Sequence, residues 1–148
     1  MIRIATAAFD SGRELAEFIR LCPASTGGIA SFTGLVRGGG TDGITALTLE
    51  HYPGMTERRI AEIIETAHAR WQLDSSLVIH RVGRMLPGEA IVFVATASAH
   101  RAAALAACEF LIDWLKTKAP FWKLEETSAG ERWVEPRAAD DEAAARWA

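Results

Sequence analysis

The sequence predicts a mixed fold of the α/β or α+β class, and three observations carry that expectation. Apolar runs of strand length alternate along the chain with amphipathic runs of helix length. Breaker residues separate them at Pro53-Gly54, Pro87-Gly88 and Ala119-Pro120. Of the 148 residues, 49% are apolar, enough for one core in a single unit spanning residues 1–148.

Residues 3–9 are expected to form the first strand. Residues 11–20 follow as a short helix, with Ser11 and Glu14 at capping-box spacing. Residues 28–36 read as a strand that runs into Arg37-Gly38-Gly39-Gly40-Thr41-Asp42-Gly43, a loop too rich in glycine for regular structure. Residues 44–50 resume as a strand. Thr56 is placed to cap a second helix with Ile60, Ile63, Ile64, Ala67 and Trp71 along one face. Residues 77–82 and 90–97 read as strands about the turn Leu86-Pro87-Gly88-Glu89. A third helix over 99–117 carries an apolar stripe of Leu105, Cys108, Ile112 and Leu115, and Ala119-Pro120 ends it. Residues 121–126 and 131–135 form a hairpin about Ser128-Ala129-Gly130. The alanine-rich, charged tail admits either a helix or a frayed end.

Composition narrows function. Charged residues make up 24% and the net charge is −3, so the chain is no general binder of polyanions or nucleic acid, and any basic site is local. The start MIRIATAAFD has no long apolar segment, and the most apolar stretch, residues 90–97, is too short to span a bilayer. No membrane association is expected, and a cytoplasmic location is. Cys22 and Cys108 are isolated and read as small hydrophobes. His51, His68, His80 and His100 show no ligand spacing and no CxxC occurs, so neither a metal nor a cofactor is expected.

The basic residues are distributed unevenly. Only three of the sixteen Lys and Arg residues are Lys, and Lys116, Lys118 and Lys123 all fall in KTKAPFWK. Arg does not give up its proton near neutral pH, whereas Lys does when its surroundings disfavour charge. The segment therefore reads as a place where an amine acts as base or nucleophile. It reads equally as a solvated basic turn at the negative end of a helix. In Ser98-Ala99-His100-Arg101, Ser98 is placed to cap the third helix, leaving His100 and Arg101 beside free backbone N–H groups, a ready site for phosphate. The plainer alternative is an ordinary cap with Arg101 in water. In FTGLVR, Arg37 meets the glycine loop and can clamp phosphate through its planar fork; the loop lacks the P-loop pattern. Loop-entrance arginines without a ligand are also common. Tyr52, Phe121, Trp122 and Trp133 read as core or interface.

Together, FTGLVR (32–37), LEHYPGM (49–55), SAHR (98–101) and KTKAPFWK (116–123), with Pro87-Gly88-Glu89 and Glu131-Arg132-Trp133-Val134-Glu135, resemble the large, catalytic subunits of molybdopterin synthases. The resemblance covers residues 2–147. It implies a hammerhead-type domain with a mostly antiparallel sheet, about three helices and a small antiparallel β subdomain. It implies a sulfurtransferase that converts cyclic pyranopterin monophosphate to molybdopterin. The sulfur would come from a small ubiquitin-like carrier subunit whose Gly-Gly tail ends in a thiocarboxylate. Two copies of the chain would form a homodimer within a heterotetramer. By the same resemblance Lys116 and Lys123 are catalytic, and Leu35, Val36, Arg37, His100, Arg101, Leu124 and Glu125 join them in binding substrate. A metabolite-binding regulator would need the cations but not lysine, and a scaffold for a ubiquitin-like partner would need neither lysine.

One geometric expectation follows. Arg101 and Lys116 lie 15 residues apart on one helix, about 22 Å at ~1.5 Å per residue. A pterin monophosphate is only on the order of 10 Å long, so a substrate touching both ends requires two copies of the chain, each completing the other's site.

Overall fold

The computed structural model describes residues 1–39, 43–134 and 138–148. Gly40, Thr41 and Asp42 of the expected glycine loop, and Glu135 of the expected last strand, lie outside the described residues.

The described residues form two four-stranded sheets. The first is ordered β1 (Ile2–Ala5), β4 (Ser75–Arg81), β6 (Ala90–Ser98), β2 (Gly28–Leu35). β1 runs parallel to β4 and the other pairs are antiparallel. The second is wholly antiparallel, ordered β5 (Gly83–Met85), β3 (Ile44–His51), β7 (Phe121–Thr127), β8 (Gly130–Val134). The expected hairpin is the β7–β8 pair.

Central β6 is buried on both faces from Val92 to Ser98, which is why it reads as one apolar run rather than an alternation. One face carries α2 (Met55–Arg70) and α3 (Arg101–Thr117), whose Ile60, Ile63, Ala104 and Leu111 pack on Val78 and Val94. The other carries α1 (Ser11–Leu21), which inserts Phe18 against Leu77, Ile79 and Phe93. The tail forms a fourth helix, α4 (Ala138–Ala145), against α3. Trp114 Nε1 donates to the Ala144 carbonyl at 3.2 Å, and Trp147 Nε1 donates to Asp113 at 2.6 Å. The mixed class stands, with this fourth helix beyond the expected three.

Several local expectations are corrected. β1 stops at Ala5, and β8 stops within the described residues at Val134. Asp10, not Ser11, caps α1: extended backbone lets its carboxylate accept from Gly12 and Arg13 N–H at 2.9 and 3.2 Å. Glu14, freed from a capping box, pairs with Arg3 at 2.6 Å. α2 starts after Gly54, whose φ of +86° suits glycine, and Glu57 accepts from the Gly54 N–H at 3.1 Å. Thr56 lies inside the helix and fully buried. α3 begins at Arg101, because Ser98 is still in β6 and its hydroxyl donates to Gln72. Leu105 is 60% exposed, and Ala104, Ala107, Phe110 and Leu111 complete the packed stripe instead. The three-residue β5 was unexpected: Gly-Arg-Met offers no alternation to read.

Candidate functional site

A cavity of about 960 Å³ opens between the two sheets at the C-terminal end of α3. Strand alternation places part of its wall, although Trp133 from the other face and consecutive residues of β2 reach it too. Leu47 and Leu49 of β3, Lys123 and Glu125 of β7, and Arg132 and Val134 of β8 are register partners on one face, and all line the cavity. Leu124 points to the opposite face, paired with Thr48 and Trp133, and is not part of the wall. The end of β2 adds Leu35, with Val36 and Arg37 just beyond it, and α3 adds Lys116.

Arg37 is placed by a buttress. Val36 N–H donates to the Glu89 carbonyl and Gly88 N–H donates to the Val36 carbonyl, both at 2.9 Å. The Glu89 carboxylate accepts from the Leu86 N–H and from Arg81, the latter at 3.0 Å, and these two hold it below the usual carboxylate range. Gly38 passes so close that a Cβ there would sit 2.4 Å from Pro87. Pro87-Gly88-Glu89 thus supports the strand end that carries Arg37.

The lysines are placed by the turn between α3 and β7. Pro120 forbids continuation of the helix. Thr56 clasps the turn, accepting from Tyr52 N–H at 2.9 Å and donating to the Pro120 carbonyl at 3.0 Å. Arg59 Nε donates to the Lys118 carbonyl at 3.3 Å. Lys116 and Lys123 then share the cavity, whereas Lys118 sets its ammonium 4.9 Å from the Trp114 ring and is absent from the wall. Arg37, Lys116, Lys123 and Arg132 outweigh Glu125 and Asp140 along the wall, so a chain of net charge −3 carries a local basic site. Glu125 is held by Arg132 at 2.8 Å.

The cavity also contains His80, which sequence reasoning passed over. It is 8% exposed, and its ring stacks on Phe121 with centroids 3.9 Å apart. Burial, the largest cause, pushes its pKa down to about 4 against the opposing pull of the Arg81 carbonyl, and the nearby Lys123, Lys116 and His51 lower it further. The available signal was a polar His-Arg pair closing an apolar strand.

His100 and Arg101 are not brought to this cavity. Both are exposed at the start of α3, where His100 is the cap residue and no side chain caps the helix. A Cβ on Gly28 would lie 3.2 Å from the Arg101 Cα, so the start of β2 abuts Arg101 while its end borders the cavity. β2 spans eight residues, about 26 Å at ~3.3 Å per residue. The cavity wall already begins on β2 at Phe32, four residues from Gly28, about 13 Å at the same rise.

Burial pushes the Cys108 thiol up to about 11, with Glu109 adding to it, and pushes Cys22 up as well. Both cysteines are free, and neither lines the cavity. No group of metal-ligating side chains occurs among the described residues, and none of their helices is long and apolar enough to cross a membrane.

Residues 4–118 match the family described as MoaE protein. The chain is 50% identical over 147 residues to a molybdopterin synthase catalytic subunit of Ralstonia nicotianae, covering 99% of this chain and 83% of that protein. It is 54% identical over 122 residues to the Escherichia coli protein of the same description, covering 82% and 81%. A solved structure, the molybdopterin biosynthesis MoaE protein from Burkholderia ambifaria, superposes with a TM-score of 0.83 at 49% identity, covering 99% of this chain and 97% of that one.

Proposed function

Because this chain belongs to the MoaE family, we propose that its cavity is the place where a molybdopterin synthase catalytic subunit moves sulfur onto a cyclic pterin phosphate. The chain is a sulfurtransferase of molybdenum cofactor biosynthesis. The observation that carries the assignment of the site is the meeting of Lys116, Lys123 and Arg37 on one cavity wall. Three cations suit a substrate whose cyclic phosphate must be held and opened. Lys116 takes the proton-transfer or covalent role, and Lys123 and Arg37 hold the anionic substrate. Leu35, Val36 and Glu125 shape the pocket.

The sulfur comes from outside the chain. Burial raises the thiols of both Cys108 and Cys22, and neither lines the cavity, so no cysteine here suits sulfur delivery. The donor we infer is the thiocarboxylate tail of a small ubiquitin-like subunit, threaded into the cavity beside KTKAPFWK. A tail that fills the mouth also excludes water, which protects the reacting thiocarboxylate. His100 and Arg101 act on the cavity of a second copy. They bring an imidazole and a guanidinium to an uncapped helix start, where backbone N–H groups already favour an anion. The assembly is then a dimer of this chain with one small subunit on each copy.

The decisive experiment mixes the chain with thiocarboxylated small subunit and cyclic pyranopterin monophosphate and assays for dithiolene. Product is expected with the intact tail and none after removal of its terminal Gly-Gly. Equal turnover with free sulfide alone would overturn the threaded-tail reading.

A further inference from the structure

The cavity wall is dominated by cationic donors, and its side-chain acceptors besides His80 are the hydroxyls of Thr33 and Thr117 and the carboxylates of Glu125 and Asp140. Arg37, Lys116, Lys123 and Arg132 only donate, and Glu125 is engaged by Arg132 at 2.8 Å. Such a wall suits phosphate and thiocarboxylate, yet a reduced pterin also carries several ring and exocyclic N–H groups that need acceptors.

His80 has the geometry to be one. Its Nδ1 lies 3.1 Å from the Arg81 carbonyl, and a carbonyl only accepts, so Nδ1 carries the ring hydrogen and Nε2 carries the lone pair. One ring face is committed to Phe121 at 3.9 Å, so the ring is held from both sides. Among the described residues, the side-chain polar atoms that are sealed from solvent without a partner are Glu57 Oε1 and Arg81 Nε. Nε2 has no protein partner among the described residues and is not one of those sealed atoms, and His80 lines the cavity, so Nε2 keeps access to cavity space.

We propose that His80 is a substrate-binding residue: its Nε2 accepts a hydrogen bond from an N–H of the pterin heterocycle, seating the ring between β4 and β7 while the cations take the phosphate. The proposal rests on the sulfur-transfer reading above for the identity of the substrate. The cavity's charges favour this role over proton transfer. Lys123, Lys116 and His51 face the ring from β7, α3 and β3, and with burial they hold its pKa near 4. At pH 7 only about one ring in a thousand is protonated. A group so weakly basic is a fixed acceptor, not a base for a lysine.

Two substitutions divide the ring's functions. His80→Asn keeps a donor for the Arg81 carbonyl and removes the Nε2 acceptor, whereas His80→Gln places an amide oxygen near Nε2. Two probes are titrated against the wild-type chain and both variants: a phosphate-free reduced pterin, by fluorescence, and inorganic phosphate. His80→Asn should weaken pterin binding about tenfold, the loss of one neutral hydrogen bond, and leave phosphate binding unchanged. His80→Gln should recover to within about threefold of wild type. In the reconstituted complex the change should appear in KM, with kcat and the basic limb of the pH profile unmoved.

Equal pterin binding by wild type and a folded His80→Asn would overturn the proposal. So would a moved basic limb with unchanged KM, which would assign the ring to the lysines. If pterin binding depends on His80 but the wild-type complex makes no dithiolene, the sulfur-transfer reading fails and the pterin subsite stands.

Discussion

At its C-terminal end α3 delivers Lys116 into a cavity walled by both sheets, whereas at its N-terminal end His100 and Arg101 stand exposed beside a helix start that no side chain caps. The C-terminal end is structurally supported: Pro120 stops the helix, Thr56 clasps the turn, and β7 brings Lys123 back alongside. A cation there also meets the favourable end of the helix dipole. The N-terminal end has the opposite character, with Arg101 at the first helical position, where the dipole disfavours it. One end is enclosed by the chain's own elements, and the other presents uncapped N–H groups and an arginine with no ion-pair partner among the described residues.

The largest expected effect is at the enclosed end. Lys116→Ala should lower turnover of the reconstituted complex about 10²- to 10⁴-fold, the range for losing a proton-transferring group. Lys116→Arg keeps the charge and should be nearly as damaging, because guanidinium does not release its proton. Lys116 is exposed at the cavity mouth, so melting temperatures should barely change. Full activity in Lys116→Arg would reduce Lys116 to a counter-ion and remove the main functional contrast between the two ends.

The second prediction joins the two ends across a dimer. Arg101→Ala and Lys116→Ala should each be inactive alone, and subunit exchange between them should restore activity. In a random equimolar mixture half of the dimers are mixed, and each mixed dimer holds one site with both residues intact. Recovery should therefore approach about one quarter of wild-type turnover. An unrecovered mixture, with exchange demonstrated by mass spectrometry, would return Arg101 to the plain role of a surface charge.

Much of this contrast was legible in the sequence. Confinement of lysine to KTKAPFWK pointed to the enclosed end, and two of its three lysines line the cavity. Strand alternation could also have set Leu124 apart from Lys123 and Glu125. Cap positions were less legible, because Asp10 and Ser11 are both good caps and only backbone angles choose between them. Ser98 misled for a related reason: its hydroxyl is engaged by Gln72 from another part of the fold. His80 was illegible as a cavity residue, since a single histidine in a buried strand acquires meaning only from Phe121 and the lysines that the tertiary fold stacks around it.

A third, smaller effect tests the support of the enclosed end. Thr56→Val preserves shape but removes the hydroxyl that joins Tyr52 N–H to the Pro120 carbonyl. It leaves both groups without that partner at a fully buried position, which should cost about 1–3 kcal/mol of stability by denaturant unfolding. Activity below the midpoint should fall as well, because the turn that spaces Lys116 from Lys123 is loosened. Thr56→Ser keeps the hydroxyl and should recover the activity. Lost stability with unchanged turnover would show that the turn holds the lysines without the clasp.

The smallest effect is the most specific to the exposed end. Arg101 sits at the positive end of the α3 dipole, and the structure gives it no ion-pair partner among the described residues. Replacing it with Gln keeps helix propensity and length while removing the unfavourable charge. Arg101→Gln should therefore stabilise the isolated chain at low salt by roughly 0.3–1 kcal/mol, even as it abolishes turnover in the complex. The sign is informative, because most substitutions of a functional residue chosen at random destabilise. Added phosphate should reverse the order: an anion at the helix start binds both to the N–H groups and to Arg101, so it should raise the wild-type melting temperature more than the variant's. The same pair of measurements at Lys116 should behave differently, because removing a cation from the negative end of the dipole should slightly destabilise the chain. If Arg101→Gln lowers stability in phosphate-free buffer, then Arg101 is satisfied within its own subunit, and the helix start is not an open half-site.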